Sequence, residues 1–294
     1  MSSHLIIGVD GLIGNSIYQH LVVGKHNVIG TTRRKTKKKG AHHHLDLSED
    51  VSDWQCPESV DTCIFCASVT NLELCEENPS ETNAINIDAT LSIIEKLGKE
   101  NIHVIYLSTN LVFNGTKPFN RPDDKTYPET EYGRQKAVVE KYLRDYYSDY
   151  TIVRISKILY HNFPLFASWC ESLMNGEIIH PFADKVISPV PLGFIVNVLK
   201  EIIEKKPTGI FQISGECDVS YAQAALWGAE KLGYELSLID PISVAQSDYS
   251  GHVPDDTTLN IERLVSELAM TPPTVRSTIQ QAFPESTTNE SDGI

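Results

Sequence analysis

The chain has 294 residues, 41% of them hydrophobic and 22% charged, a composition that excludes a disordered or fibrous protein. Its 25 basic and 39 acidic residues give a formal net charge of −14, which argues against a nucleic-acid partner because most of the surface would repel phosphates. No apolar run approaches the roughly 20 residues that a membrane-spanning helix needs, so we expect a cytoplasmic protein.

The six cysteines are predicted to be buried, reduced thiols rather than a disulfide framework, since no signal peptide precedes the first strand. Cys63 and Cys66 form a CxxC pattern inside an apolar run that is typical of a strand. Residues three apart on a strand point to opposite faces. The pair is therefore predicted to pack in the core rather than to bind a metal or perform redox chemistry.

Apolar runs alternate with segments of helical periodicity along the first half of the chain. The predicted order is a strand over 5–9, a helix over 12–22, strands over 28–30 and 63–67, a helix over 86–96, a strand over 104–107, a helix over 133–147 and a strand over 151–155. Because these strands are uniformly apolar, we expect a parallel sheet covered by helices on both faces, which is a doubly wound, Rossmann-like α/β fold.

The pattern loosens after residue 155, where four prolines divide the chain into short pieces: Pro164, Pro181, Pro189 and Pro191. A last strand is predicted over 209–214, followed by helices over 221–232, 259–268 and 274–283. We expect a Rossmann domain formed by 1–158 and 187–214, a smaller substrate-binding lobe formed by 159–186 and 215–285, and a flexible polar tail over 286–294.

Three glycines stand in a GxxGxxG pattern between the first strand and the first helix. Gly8 permits a tight turn, Gly11 lets the backbone approach a pyrophosphate, and Gly14 allows close packing of helix and strand. The N–H groups at the start of the helix, where Leu12 and Ile13 lie, would face the anion. The pattern predicts a dinucleotide-binding site.

The end of the second strand indicates which dinucleotide binds. An NAD site usually has an acidic residue there, whereas this chain has Thr32, Arg33 and Arg34, whose hydroxyl and guanidinium groups suit the 2′-phosphate of NADP. NADP(H) is therefore the expected cofactor. Asp46 would either accept a hydrogen bond from the adenine amino group or simply form a turn. Further residues expected to line the cofactor site are Leu47, Ala67, Ser68 and Ser108.

Two neighbouring segments could suggest other partners. The basic stretch continues through Lys35, Lys37, Lys38 and Lys39, which we interpret as a solvated loop over the adenosine end rather than a nucleic-acid patch. Residues 42–44 are consecutive histidines entering a strand, so they cannot all face one ion and no metal site is predicted.

A tyrosine and a lysine four residues apart carry the expected chemistry. Tyr132 and Lys136 would share one face of a helix, where the ammonium can favour ionisation of the phenol. A phenol ordinarily titrates near 10, so it needs such help to transfer protons at neutral pH. Ligands of an open α/β sheet bind at the carboxyl ends of its strands. One crevice there can bring together Thr109 at a strand end, the helix of Tyr132 and the glycine loop.

Together these motifs resemble the dTDP-4-dehydrorhamnose reductase family of extended short-chain dehydrogenases, over nearly the whole chain. The stretches that carry the resemblance, besides the glycine loop, are 67–70, 83–86, 108–115, 132–140, 153–156, 209–215 with 219–220, and 257–260. The resemblance implies NADPH-dependent reduction of a 4-keto group on a nucleotide-linked deoxysugar. Thr109 would hydrogen-bond the carbonyl, Tyr132 would donate the proton, and Lys136 would hold the nicotinamide ribose while lowering the pKa of the tyrosine.

The chain also departs from the family pattern. Asn110 stands where an acidic residue is frequent, and Lys157 stands where an aromatic one is frequent. Thr70 and Val112 are the other residues expected to contact the substrate. The stretch over 183–190 matches the substrate-covering loop of relatives only loosely. The resemblance leaves open which nucleotide and sugar bind, and the oligomeric state, a homodimer included.

Three rival functions follow from the same resemblance. A 4,6-dehydratase would need carboxylates directly after the catalytic threonine, which Asn110 and Leu111 cannot supply. A 4-epimerase needs only the triad and a retained cofactor. The regulatory subunit of methionine adenosyltransferase also resembles this family, and would bind NADP without turnover. The complete set of Thr109, Tyr132 and Lys136 favours an enzyme.

Overall fold

A computed structural model of the protein describes residues 3–35 and 42–285. The strands are Ser3–Ile7 (β1), Asn27–Thr32 (β2), His43–His44 (β3), Thr62–Phe65 (β4), His103–Thr109 (β5), Tyr150–Ile155 (β6), Lys157–Leu159 (β7), Val186–Ile187 (β8), Pro189–Pro191 (β9), Gly209–Ile213 (β10) and Val219–Ser220 (β11). The α-helices are Leu12–Val23 (α1), Leu72–Glu77 (α2), Pro79–Asn83 (α3), Thr90–Lys99 (α4), Glu131–Tyr146 (α5), Pro164–Met174 (α6), Leu192–Lys205 (α7), Tyr221–Leu232 (α8), Glu262–Leu268 (α9) and Val275–Ala282 (α10).

The main sheet has seven parallel strands in the order β10-β6-β5-β4-β1-β2-β3. The chain runs outward from β1 in one direction to β3 and then in the other through β4, β5 and β6. The strand order therefore reverses between β1 and β4, and a crevice opens at the carboxyl ends of the strands there. The predicted Rossmann-like α/β fold is confirmed.

Alternate residues of the strands supply two separate apolar cores, one on each face of the sheet. Ile6 packs with the buried faces of α1 and α7, whereas Leu5 and Ile7 pack with those of α4 and α5. This double burial explains why the strands are apolar at every position rather than at every second one.

The CxxC cysteines follow the same alternation. Cys63 is buried in the core beside α4 and α5, and Cys66 packs against the opposite core. Burial raises the pKa of Cys66 to about 12, which keeps its thiol neutral and unreactive. The predicted packing role is confirmed. All six cysteines are free thiols, but Cys217 is exposed, so the expectation that every one is buried was wrong.

The second half of the chain is more regular than its prolines suggested. Pro164 occupies the first turn of α6, where the missing N–H costs nothing, and Pro191 directly precedes α7. The expectation of short broken pieces was therefore wrong for both segments. The 14-residue helix α7 covers one face of the main sheet beside α1.

A third apolar cluster lies among residues 159 to 283, outside the two cores of the sheet. Its buried members include Phe166 and Phe283, whose rings stack with centroids 4.5 Å apart. The cluster joins α6, α8 and α10. We keep the division into a Rossmann domain and a smaller lobe as a proposal. The predicted flexible tail and Lys37 to Lys39 lie outside the described residues.

Candidate active site

The glycine loop between β1 and α1 is built for close approach of the backbone. Gly8 has φ +93°, and a Cβ there would lie 2.9 Å from Ala67. A Cβ on Gly14 would lie 2.1 Å from the Gly8 carbonyl oxygen, so only glycine fits. The first turn of α1 has no acidic side chain and no side-chain cap, which leaves its N–H groups available to an anion.

Two adjoining cavities open at this edge of the sheet. The larger one, here called the central pocket, has a volume of about 550 Å³ and is lined on the sheet side by Gly11, Leu12, Ile13, Gly14, Ser68, Thr70, Ser108, Thr109, Asn110, Tyr132, Lys136 and Lys157. The smaller one, here called the β2 cleft, has a volume of about 470 Å³ and is lined by residues that include Gly8, Asp10, Gly11, Arg33, Arg34, Asp46, Leu47, Ala67 and Ser68. Most of the predicted site residues are thus brought together.

Thr32 is the exception in the β2 cleft. Its side chain is buried, and its hydroxyl donates to Asp10 Oδ2 at 2.5 Å while accepting from the Arg34 N–H at 3.1 Å. Asp10 also lies 3.8 Å from Arg34 Nε. The hydroxyl of Thr32 is therefore engaged by Asp10, and the expectation that it faces a ligand was wrong. Arg33 and Arg34 remain as the cations of the cleft.

Asp46 fulfils the simpler of its two expected roles. Its carboxylate accepts hydrogen bonds from the N–H and hydroxyl of Ser48, at 3.0 and 2.7 Å, and these bonds lower the pKa of Asp46. Asp46 thus forms a turn at the rim of the β2 cleft.

Thr109, Tyr132 and Lys136 all line the central pocket. Thr109 ends β5 and caps the following turn by accepting from the Leu111 N–H at 3.2 Å. Thr130 caps α5, which places Tyr132 in its first turn and Lys136 one turn later. Lys136 Nζ donates to the Leu107 carbonyl oxygen at 3.0 Å and lies 5.7 Å from the ring centre of Tyr132.

Burial dominates the protonation of this pair. It lowers the pKa of Lys136 to about 8, and it raises the pKa of Tyr132 above its usual range, with Cys75 contributing in the same direction. The shift of the Tyr132 pKa is thus upward, opposite to the decrease expected from Lys136, whose effect on the phenol stays a prediction. A raised pKa keeps the phenol of Tyr132 protonated at neutral pH.

A buried ion pair that the sequence reasoning missed holds the end of β5. Glu140, one helical turn after Lys136, accepts from Ser108 Oγ at 2.6 Å and from Arg154 Nη2 at 2.6 Å. Arg154 and Glu140 are both fully buried, and Arg154 also reaches the side chain of Gln212. Ser108 lines the pocket, but its hydroxyl is directed to Glu140 rather than to a ligand. The available signal was an arginine inside an otherwise apolar strand.

Asn86 was also missed, and it fixes the loop after β4. Residues Ala84–Ala89 form a π-helical turn before α4, where a regular helix was predicted. From this turn Asn86 accepts from Ser68 Oγ and the Val69 N–H, at 2.9 and 2.8 Å, and donates to Gln135 at 2.6 Å. The loop that carries Ser68 and Thr70 is thereby tied to α5.

The structure separates Val112 from the other three residues expected to contact the substrate. Thr70, Asn110 and Lys157 line the central pocket. Val112 is fully buried in a small cluster with Phe113 and Leu259, because the short helical turn Asn110–Val112 directs it inward. Its expected contact with the substrate was wrong.

A family model described as the RmlD substrate binding domain matches residues 2–288. The chain belongs to this family. The probable low-salt glycan biosynthesis reductase Agl14 of Haloferax volcanii is 26% identical, over 92% of this chain and 93% of that protein. Methionine adenosyltransferase 2 subunit beta of Bos taurus is 23% identical, over 81% of this chain and 75% of that protein. A crystal structure of dTDP-4-dehydrorhamnose reductase from Bacillus anthracis in complex with NADP superimposes with a TM-score of 0.82 at 17% identity, covering 96% of this chain and 99% of that one.

Membership in the RmlD family confirms the resemblance drawn from the motifs, and the superposition confirms the fold. In this member, the far wall of the central pocket is lined by Lys185, Val186, Ile187, Tyr221, Tyr249, His252, Pro254 and Thr257. The resemblance had singled out the stretches 183–190 and 257–260, which contain four of these residues. Tyr221, Tyr249, His252 and Pro254 were missed because no motif marks them as pocket residues. Within residues 3–35 and 42–285, no helix is long and apolar enough to cross a bilayer, and no group of three metal-ligating side chains forms.

Proposed function

We propose that this protein is an NADPH-dependent reductase of a 4-keto group on a nucleotide-activated deoxysugar. The observation that carries the proposal is that Thr109, Tyr132 and Lys136 line the same pocket as the glycine loop residues Gly11 and Gly14. Family membership supports the same reaction, since relatives of the RmlD family include proteins named as reductases. The six free thiols fit a reducing compartment, which supports a cytoplasmic location.

The residues present fit the dinucleotide. The glycine loop offers a cradle that any Cβ at Gly8 or Gly14 would fill, and the uncapped first turn of α1 faces it. Arg33 and Arg34 would hold a 2′-phosphate, and Ala67 and Ser68 would line the far side of the adenosine site. When bound, NADPH supplies the hydride.

The chain's own residues would orient and protonate the carbonyl. The Thr109 hydroxyl would donate a hydrogen bond to the keto oxygen and so fix the carbon for attack. The Tyr132 hydroxyl would donate its proton to that oxygen as negative charge develops there. Lys136, buried and held by the Leu107 carbonyl, would keep a positive charge close to the developing anion. Thr70 and Asn110 would contact the sugar.

Activity is expected to fall as the pH rises through about 8. Burial lowers the pKa of Lys136 to about 8, so its ammonium is lost above that value, while the raised pKa of Tyr132 keeps the phenol protonated. A profile of kcat/KM against pH with wild-type protein and Lys136→Arg measures this. Because arginine stays charged, the variant should lose the alkaline decline in whatever activity it retains. An identical decline in both proteins would show that another group titrates.

Arg33→Ala is expected to weaken NADPH binding by about tenfold or more and to leave NADH binding unchanged, because only NADPH carries the phosphate that the guanidinium would hold. Fluorescence titration of both reduced cofactors measures the two dissociation constants. Arg276→Ala is the matched control, since Arg276 pairs with Glu230 and does not line the β2 cleft. Equal weakening of both cofactors by Arg33→Ala would refute the phosphate-binding role.

A regulatory role is the second candidate, favoured by the 23% identity to methionine adenosyltransferase 2 subunit beta of Bos taurus. The protein should be mixed with NADPH and a panel of dTDP-, UDP- and GDP-linked 4-keto sugars, and the absorbance of the reduced nicotinamide followed. Consumption of NADPH with one sugar supports the reductase. Binding of NADPH without turnover supports the regulatory role, whereas NAD that copurifies with the protein and is not consumed supports a 4-epimerase.

A further inference from the structure

The central pocket has a charge opposite to that of the protein. The chain carries a net charge of −14, yet no aspartate or glutamate is among the described residues that line the pocket. Three lysines line it instead, Lys136, Lys157 and Lys185, together with His252. Lys136 belongs to the proposed catalytic set. The other two lysines have no part in the proposed transfer of hydride and proton.

Lys157 and Lys185 come from different segments that meet across the pocket. Lys157 begins β7, two residues after Ile155, which is the register partner of Thr109. Lys185 directly precedes β8, and its carbonyl oxygen accepts from the Tyr221 N–H at 3.1 Å. The first lysine therefore lies near the carboxyl end of β5, and the second lies on the wall formed by the lobe.

Aromatic rings hold both ammonium groups. Lys157 Nζ lies 5.2 Å from the ring centre of Phe163, and Lys185 Nζ lies 3.5 Å from that of Tyr249 and 5.8 Å from that of Phe182. Contacts of this kind stabilise a cation without neutralising it. The rings thus position both ammonium groups without cancelling the positive charge that an anion would bind.

Neither lysine has a carboxylate partner within the part of the chain that the structure describes. Asp184 adjoins Lys185 in sequence, but its carboxylate accepts from Ser243 Oγ at 2.5 Å and from the Val244 N–H at 2.8 Å. Burial lowers the pKa of Lys157, and the nearby charge of Lys185 lowers it further. Two uncompensated cations in one pocket cost free energy that a bound anion would recover.

We propose that Lys157 and Lys185 form an oxyanion subsite of the central pocket, which binds a phosphate or carboxylate group of the substrate. The identity of that substrate as a nucleotide sugar rests on the proposed function, whereas the subsite itself rests on the two lysines. In a nucleotide sugar the oxyanion has two sources, the diphosphate and an acidic group on the sugar. Both would place negative charge beside the sugar ring whose carbonyl Thr109 holds.

Binding measurements test the subsite without any turnover. Calorimetric titrations would use pyrophosphate, dTDP, thymidine, UDP-glucose and UDP-glucuronate, with wild-type protein, Lys157→Gln and Lys185→Gln. Lys141→Gln is the matched control, because Lys141 pairs with Asp145 on the exposed face of α5. Lys157→Arg keeps the charge, and thermal melting shows whether each variant folds.

Wild-type protein is expected to bind pyrophosphate and dTDP, and each glutamine variant should weaken both by about tenfold. Lys141→Gln and Lys157→Arg should bind pyrophosphate and dTDP with the affinity of wild-type protein. The affinity for thymidine should not change in any variant. If the variants weaken dTDP, the diphosphate is the bound oxyanion. If they remove only a preference for UDP-glucuronate over UDP-glucose, the oxyanion is a sugar carboxylate.

Two results would overturn the subsite. One is the absence of measurable binding of every anionic probe at millimolar concentration to wild-type protein. The other is that both glutamine variants fold and bind every anionic probe with an affinity within twofold of that of wild-type protein. Failure of the proposed function gives a different pattern, in which no keto sugar is reduced but the loss of anion binding in the variants remains.

Discussion

Tyr132→Phe is expected to lower kcat by about 10²–10⁴-fold while leaving the affinity for NADPH unchanged. The substitution removes the one hydroxyl that would protonate the keto oxygen. It retains the ring, which packs beside Lys136 at 5.7 Å. The measurement is steady-state NADPH oxidation with the active keto sugar, combined with fluorescence titration of the cofactor.

Tyr106→Phe provides the matched control. Tyr106 lies on β5, its ring centre is 4.7 Å from Lys136 Nζ, and its buried hydroxyl has no hydrogen-bond partner among the described residues. Removing that hydroxyl should leave kcat close to wild type, because it does not line the central pocket. Equal losses of kcat in the two variants, or full activity in Tyr132→Phe, would show that Tyr132 is not the proton donor.

Glu140→Gln is expected to destabilise the protein by about 3–5 kcal/mol, since it leaves the charge of Arg154 buried without its partner. Glutamine keeps one acceptor oxygen, but its NH2 group cannot accept from Arg154, so the hydrogen bonds that Ser108 and Arg154 make to the carboxylate cannot all form, which disturbs the end of β5 next to Thr109. Chemical denaturation measures the free energy of unfolding, and kcat/KM should fall even at temperatures where the variant is folded.

Two further variants separate the effect of the buried ion pair from that of losing a surface ion pair. Glu267→Gln removes the partner of Arg263 on the partly exposed surface of α9, and should cost about 1 kcal/mol or less. The double variant Glu140→Met/Arg154→Met removes both buried charges and should recover part of the lost stability. A single Glu140→Gln variant as stable as Glu267→Gln would show that the buried pair contributes nothing to the core.

The sequence was sufficient wherever the function depends on local geometry. The glycine spacing predicts the loop because Gly8 and Gly14 are only six residues apart and their backbones touch across one tight turn. The spacing of Tyr132 and Lys136 predicts their common face because a helix repeats every 3.6 residues. Both arrangements are determined by a few neighbouring residues, so their patterns could be interpreted without knowledge of the fold.

The errors arise where a side chain's direction depends on distant contacts. Thr32 follows the expected strand, but Asp10 from the glycine loop engages its hydroxyl. Val112 follows the catalytic threonine, but it turns into a cluster with Leu259, which lies almost 150 residues later in the chain. The helix α7 was missed because its preceding prolines were given more weight than its apolar periodicity.

Lys185 and Tyr249 show why the contacts within the far wall could not be predicted. They meet only because Asp184 anchors the segment that begins at Ser243, and this contact spans about 60 residues of sequence. No spacing rule connects such positions. The side of the pocket proposed to carry the chemistry is therefore largely predictable from sequence, whereas the contacts that form the opposite wall are not.

Isotopic labelling of the cofactor tests the proposed reduction by following the hydride itself. The protein should be incubated with NADPH deuterated at the transferred position and with the keto sugar that is active in the panel, and the product analysed by mass spectrometry and NMR. We expect one deuterium on the carbinol carbon for each NADPH consumed, incorporated about 10²–10⁴-fold more slowly by Tyr132→Phe. Deuterium that stays in bound cofactor, or a sugar that changes without acquiring it, would show that the protein is not a reductase of that sugar.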